Sequence, residues 1–377
     1  MAEPLKDQFT TEVAVRLATD LVAVASGDEF DAESFLTQAT DDFDDLELSD
    51  RAQQIADSLA AHLPADRTRA MTLLGRSLGP ELENAESFGM STFFYWPHVK
   101  FVADHGHGDL DTALTLQYEL TKRFTAEFSI RSYLVGEHRP ATLERLTRWT
   151  RDADEHVRRL VSEGTRPRLP WAPRLHEFVD DPSVVLELLE RLRHDESEYV
   201  RRSVANNLND IAKDHPTVVV ETCRRWWADA DDDGRRMIRH ALRTLIKAGD
   251  LDALDVIGFG PSSPARVVGG RIEPEAVAIG ESVRVHVEVE NPTAAPCRAL
   301  VDIRVHFVKA NGSTRPRVFK GAELDLEPGA RHTVSKKVSV RQHSTRTHHP
   351  GSHQVEAIIN GTTADIGRFE LAPPNES

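Results

Sequence analysis

Two hydrophobic periods divide this chain. Up to about residue 257 the apolar positions recur every three to four residues, the spacing of helices; beyond residue 264 they alternate with a period of two, the spacing of strands. Residues 5–26 predict an amphipathic helix, and residues 51–63 and 66–78 a helix pair punctuated by Pro64. The acidic run Asp41–Asp50 between them reads as a solvated loop or a helix entrance. Residues 90–104 carry Phe93, Phe94, Tyr95, Trp96 and Phe101, an aromatic density expected of core. The most unusual helix is centred on Arg201–Pro216. Val200, Val204, Leu208 and Ile211 form its apolar stripe, and Ser203, Asn206, Asn207 and Asp210 form a second stripe beside it. Solvated faces normally use long charged side chains, which favour helix, whereas Ser, Asn and Asp do not. Such a row either touches a ligand or satisfies neighbouring polar groups inside a helical stack.

After Asp109 the helical pattern repeats. Ile130-Arg131, Val157-Arg158, Val200-Arg201 and Ile238-Arg239 each place Arg directly after a β-branched residue, and Asp152, Asp195 and Asp233 stand five residues before the last three of those apolar positions. The spacing fits helix-pair repeats of the HEAT type. Pro140, Pro182 and Pro216 fall where each repeat's first helix begins, a position that tolerates a missing N–H. Stacking would align Arg131, Arg158, Arg201 and Arg239 as a basic column. It would also turn Glu163 and Asp210 the same way from adjacent repeats. Either a functional surface or a set of inter-repeat salt bridges would use these residues.

Gly258–Pro264 (GFGPSSP) reads as a linker. The segments 282–290, 299–308, 332–340 and 353–359 then alternate or run apolar, with turns at Asn291-Pro, Asn311-Gly and Pro328-Gly. Seven or so short strands predict an immunoglobulin-like sandwich. The expected fold is therefore an all-α HEAT-like repeat solenoid over residues 1–257, a linker over 258–264, and an all-β sandwich over 265–377.

Charge modifies this picture locally. The 377 residues carry a formal net charge of −15, which taken whole argues against a nucleic-acid partner. Yet residues 1–100 hold 7 basic and 19 acidic residues, residues 122–175 hold 12 and 7, and residues 262–377 hold 15 and 13. A local basic surface on an acidic protein remains compatible with a polyanion. Only Cys223 and Cys297 are present, so a reducing compartment without disulfides is expected. No apolar run approaches a membrane span and no signal peptide is evident, so the expectation is a cytoplasmic protein with no membrane role. His105-Gly-His107-Gly-Asp109 and the loop His343–His353 are histidine-rich, but neither offers a recognised ligand geometry, and no metal or cofactor is expected.

Three phrases carry the chemistry: Glu127-Phe-Ser-Ile-Arg131, Arg158–Trp171 (RRLVSEGTRPRLPW) and Val204–Pro216 (VANNLNDIAKDHP). Together they resemble the AlkC branch of the AlkD/AlkC DNA alkylation-repair glycosylases, most strongly over residues 90–250. Some members of that branch carry an immunoglobulin-like C-terminal domain. The resemblance implies a monofunctional glycosylase, acting as a monomer on double-stranded DNA that contains cationic alkylated bases. Glu127, Glu163 and Asp210 would be its catalytic carboxylates, with Asp210 facing the sugar. Phe128 and Trp171 would offer π-faces to the base, and Arg159 and Arg166 would hold phosphates beside it. Further DNA contacts would come from Arg131, Arg158, Arg168, Arg201, Arg202 and Arg239, and from Arg315, Arg317, Arg341 and Arg346 in loops of the sandwich. No lysine stands beside the acids as an obvious Schiff-base nucleophile, so strand-cleaving lyase chemistry is not suggested. A non-catalytic repeat scaffold that binds protein or DNA is the competing reading.

Overall fold

A computed structural model describes residues 5–83, 89–260, 263–342 and 347–374. Among them are fifteen α-helices. The first seven are α1 (Glu12–Val22), α2 (Ala32–Ala39), α3 (Leu48–His62), α4 (Arg67–Arg76), α5 (Trp96–His105), α6 (Leu110–Thr121) and α7 (Arg139–Trp149). Then come α8 (Glu155–Gly164), α9 (His176–Asp180), α10 (Ser183–Leu192), α11 (Glu198–Ile211), α12 (Pro216–Trp227), α13 (Asp232–Ala241), α14 (Arg243–Ala248) and α15 (Leu251–Val256). The chain forms two compact units, one holding residues 1–215 and 232–241, the other residues 216–231 and 242–377.

The first unit is helical. Its starts follow from local chemistry: Asp31, Asp66, Asp109 and Asp154 each accept a hydrogen bond from a first-turn N–H, satisfying donors that have no partner within the helix. Asp109 is thus spent on capping α6, and the His107 ring stacks on Tyr133 at 4.4 Å. The aromatic segment does enter the core: Phe94, Tyr95 and Phe101 are buried in one cluster with Phe9, Phe35 and Leu59. The HEAT-like phase is visible in α8, α11 and α13, where Val157, Val200 and Ile238 are each fully buried. Pro140 lies in the first turn of α7 and Pro182 caps α10.

The second unit contains α12, α14, α15 and the immunoglobulin-like sandwich. Its strands are β1 (Arg266–Glu273), β2 (Ala276–Ala278), β3 (Ser282–Glu290), β4 (Cys297–Val308), β5 (Thr314–Leu326), β6 (Arg331–Ser339), β7 (Gly351–Ile359) and β8 (Thr362–Ala372). They build a three-stranded sheet in the order β1-β3-β6 and a five-stranded sheet in the order β2-β8-β7-β4-β5. Every pairing is antiparallel except β2 with β8. The period of two sends Val283, Val285, Val287 and Val289 of β3 into one core with Ile303, Val305, Val355 and Phe369. The stretch read as a linker is anchored at both ends of its described part. Phe259 is fully buried with the Arg298 guanidinium 4.3 Å from its ring centre, and Ser263 donates to the Arg298 carbonyl at 2.6 Å.

Candidate active site

Three successive segments of the first unit bring one carboxylate each to a common line. Glu127 precedes the short 3-10 turn Ile130–Tyr133, Glu163 lies in the last turn of α8, and Asp210 in the last turn of α11. All three are buried, with exposures of 8, 5 and 2 %. Arginines alternate with them. Arg159 donates to Glu127 and lies 3.6 Å from Glu163. Arg166 donates to Glu163 Oε1 at 2.6 Å and, through Nε, to Asp210 Oδ2 at 2.7 Å, and its Nη2 also lies 2.7 Å from that oxygen. The ladder ends at Lys213, whose Nζ donates to Asp210 Oδ1 at 2.8 Å. Burying so many charges is tolerated because each has a partner of opposite sign.

Smaller groups hold the ladder in register. Thr125 donates to Glu127, and Ser203 donates to Glu163 Oε2 at 2.6 Å while accepting from Ser162 at 2.7 Å. The Arg159 guanidinium lies 5.2 Å from the centre of the Tyr199 ring. Burial by itself would raise the Glu163 carboxyl and keep it protonated. Arg159 and Arg166, with the Ser203 hydroxyl, outweigh that and hold it below its ordinary value, as a carboxylate. Burial likewise opposes the Arg159 charge, but Glu127, Tyr199 and Glu163 lift that group above its ordinary value.

Trp171 lies in the loop that follows Arg166. It is 98 % exposed and its backbone φ is 64°, left-handed for a residue that is not glycine. Arg131 fixes the loop that carries it. The buried Arg131 guanidinium donates to the carbonyls of Gly164 at 3.1 Å, Arg166 at 2.6 Å and Pro173 at 2.6 Å. Burial and the neighbouring Arg166 charge lower Arg131 to about 10. Arg168 clamps the same loop through a two-pronged pair with Asp214 at 2.7 and 2.6 Å. Phe128 is half-buried against the core.

The arginines read from the sequence as phosphate contacts fall into separate groups. Arg131, Arg158 and Arg201 do not form an open basic column. Arg158 pairs with Asp195 at 2.7 Å and Arg201 with Asp233 at 2.6 Å, so each repeat's arginine is tied to the aspartate of the next. Arg159 and Arg166 are committed to the carboxylates. Arg202 is exposed and pairs with Glu198 at 2.7 Å, and Arg239 is half-buried on α13. In the second unit Arg315 and Arg317 lie on β5 itself, not in a loop. They line an open groove of about 900 Å³ with Lys247, Arg304, His306 and Lys309. Arg341 is exposed just after β6, while Arg346 lies outside the described residues.

Four positions escaped sequence reasoning. Thr125, Tyr199 and Ser203 act through neighbours, and only the polar stripe hinted at Ser203. Lys213 does adjoin the acids, as an ion-pair partner of Asp210; its i, i+3 spacing was the available signal. The rest of that stripe turns inward: Asn207 donates to the Ser162 carbonyl and Thr165, and Asn206 bonds His240.

The family described as "DNA alkylation repair enzyme" matches residues 124–245, and the family described as "Uncharacterised protein YhaZ, C-terminal Ig-like domain" matches residues 266–373. The Bacillus subtilis (strain 168) "Uncharacterized protein YhaZ" is 32 % identical over 344 residues, covering 91 % of this chain and 93 % of that protein. The solved Pseudomonas fluorescens alkylpurine DNA glycosylase AlkC, bound to DNA containing an abasic site analog, superposes with a TM-score of 0.85. It is 34 % identical and the match covers 98 % of this chain and 100 % of that one.

Proposed function

This chain belongs to the AlkC branch of the AlkD/AlkC HEAT-like-repeat DNA alkylation-repair glycosylases, and on that premise we propose that it hydrolyses the N-glycosidic bond of cationic alkylated bases in duplex DNA. The substrates would be 3-methyladenine, 3-methylcytosine and 1-methyladenine. The observation that carries the reading is the line of Glu127, Glu163 and Asp210, joined through Arg159 and Arg166. A base that already bears positive charge is a good leaving group, so the site needs no strong acid. The bond stretches, the sugar gains oxocarbenium character, and a preorganised carboxylate stabilises it. A second carboxylate orients the attacking water. Asp210 is assigned to the sugar. Arg159 and Arg166 serve by keeping Glu163 ionised. The exposed Trp171 presents a π-face that favours a cationic base over its neutral parent.

The test is single-turnover release of base from methylated duplex DNA. Asp210→Asn and Glu163→Gln should each slow it at least about tenfold, the usual scale for losing a focused electrostatic contact. Uracil and 8-oxoguanine should be released far more slowly than the cationic bases. Wild-type rates in both variants would overturn the site assignment, efficient uracil excision would overturn the charge selectivity, and a non-catalytic scaffold would release nothing.

A further inference from the structure

The two oxygens of Asp210 are held unequally. Oδ2 accepts from Nε of Arg166 and lies 2.7 Å from its Nη2, and that arginine is itself buried and tied to Glu163. Oδ1 receives Lys213, whose side chain is 45 % exposed against 3 % for Asp210. Lys213 sits in the turn that follows α11, where the helix C-terminus favours a cation. An ion pair with one exposed, flexible member exchanges readily. The Arg166 fork does not.

We propose that Lys213 is a positioning residue that caps Asp210 Oδ1 in the free protein and moves to a DNA phosphate when the lesion docks, uncovering that oxygen for the sugar. The proposal rests on the glycosylase reading above. The phosphates flanking a nucleotide lie one sugar away from its C1′. The ammonium therefore needs only to swing across the sugar that Asp210 faces. The capped state keeps the buried carboxylate satisfied while no substrate is present. The uncovered state adds negative charge where positive charge develops. Lysine suits this role because it is a compact point charge on a flexible stem, whereas arginine would grip the carboxylate with two donors.

Binding of a duplex with a single abasic-site analogue, measured across salt concentrations, tests the move without requiring excision. Lys213→Ala should weaken binding about tenfold and reduce the salt slope by about 0.9, the loss of one phosphate contact. Its half-saturating concentration in single-turnover excision should rise by a larger factor than its saturating rate falls. Lys213→Arg should keep the reduced salt slope of the alanine variant and excise more slowly than wild type at saturation, by about threefold or more, because the fork stays on Asp210. Lys213→Gln serves in the same way as Lys213→Ala where the alanine variant is unstable. An unchanged salt slope in the alanine and glutamine variants overturns the proposal. So does an arginine variant that excises at the full wild-type rate. Borohydride trapping of wild type as a covalent adduct with DNA, lost in Lys213→Ala, also overturns it by making Lys213 a nucleophile. If wild type binds as expected but releases no methylated base, the glycosylase reading fails instead.

Discussion

Trp171 is where a single residue is placed at a cost to the fold. A non-glycine residue at φ 64° carries strain of about 1 kcal/mol or more, and a 98 % exposed indole returns no burial energy. Arg131 and Arg168 hold the loop in that shape. Trp171→Gly should therefore leave the thermal midpoint unchanged or raise it, while slowing single-turnover excision about tenfold; Trp171→Phe should keep most of the rate. A large drop in the midpoint of Trp171→Gly would mean that the indole is structural. The sequence flagged this residue through the phrase around it. Its exposure was not legible, because tryptophan is on average a buried residue and nothing local announces a left-handed one.

At the scale of the helix, the repeat phase was readable and the use of its arginines was not. Spacing and the β-branched core positions identify the second helix of each repeat, since both obey local periodicity. Whether an arginine one step from the core reaches solvent or the next repeat depends on how closely the helices stack. In α8 the side chains of Arg158 and its partner Asp195 are 9 % and 4 % exposed, so the pair is desolvated and its members depend on one another. Arg158→Met should thus destabilise the protein by about 3 kcal/mol in denaturant melts, through the uncompensated aspartate, without changing the salt slope of DNA binding. A reduced slope with unchanged stability would return Arg158 to the phosphate contacts. The carboxylate line follows the same logic. Glu163 and Asp210 could be phased from sequence, but the Arg166 that bridges them comes from the loop after α8, and only packing brings it to Asp210.

At the scale of the whole molecule, the basic groove of the second unit joins residues that no sequence window holds together. Lys247 comes from α14, Arg304 and His306 from β4, and Arg315 and Arg317 from β5. Replacing Arg315 and Arg317 together by alanine should lower affinity for lesion DNA and reduce the salt slope by about 1–2, in proportion to lost phosphate contacts, with the sandwich still folded. An unchanged slope would separate this groove from DNA. The sequence by itself determined the two architectures, the phase of the repeats and the strands, because periods of 3.6 and 2 are local properties of the chain. Only the tertiary structure decided which charges are consumed. Arg159 reaches Glu127, Arg166 reaches Asp210, and Arg131 pins the loop after α8. Each of those partnerships depends on distance and desolvation across elements, quantities that spacing along the chain does not contain.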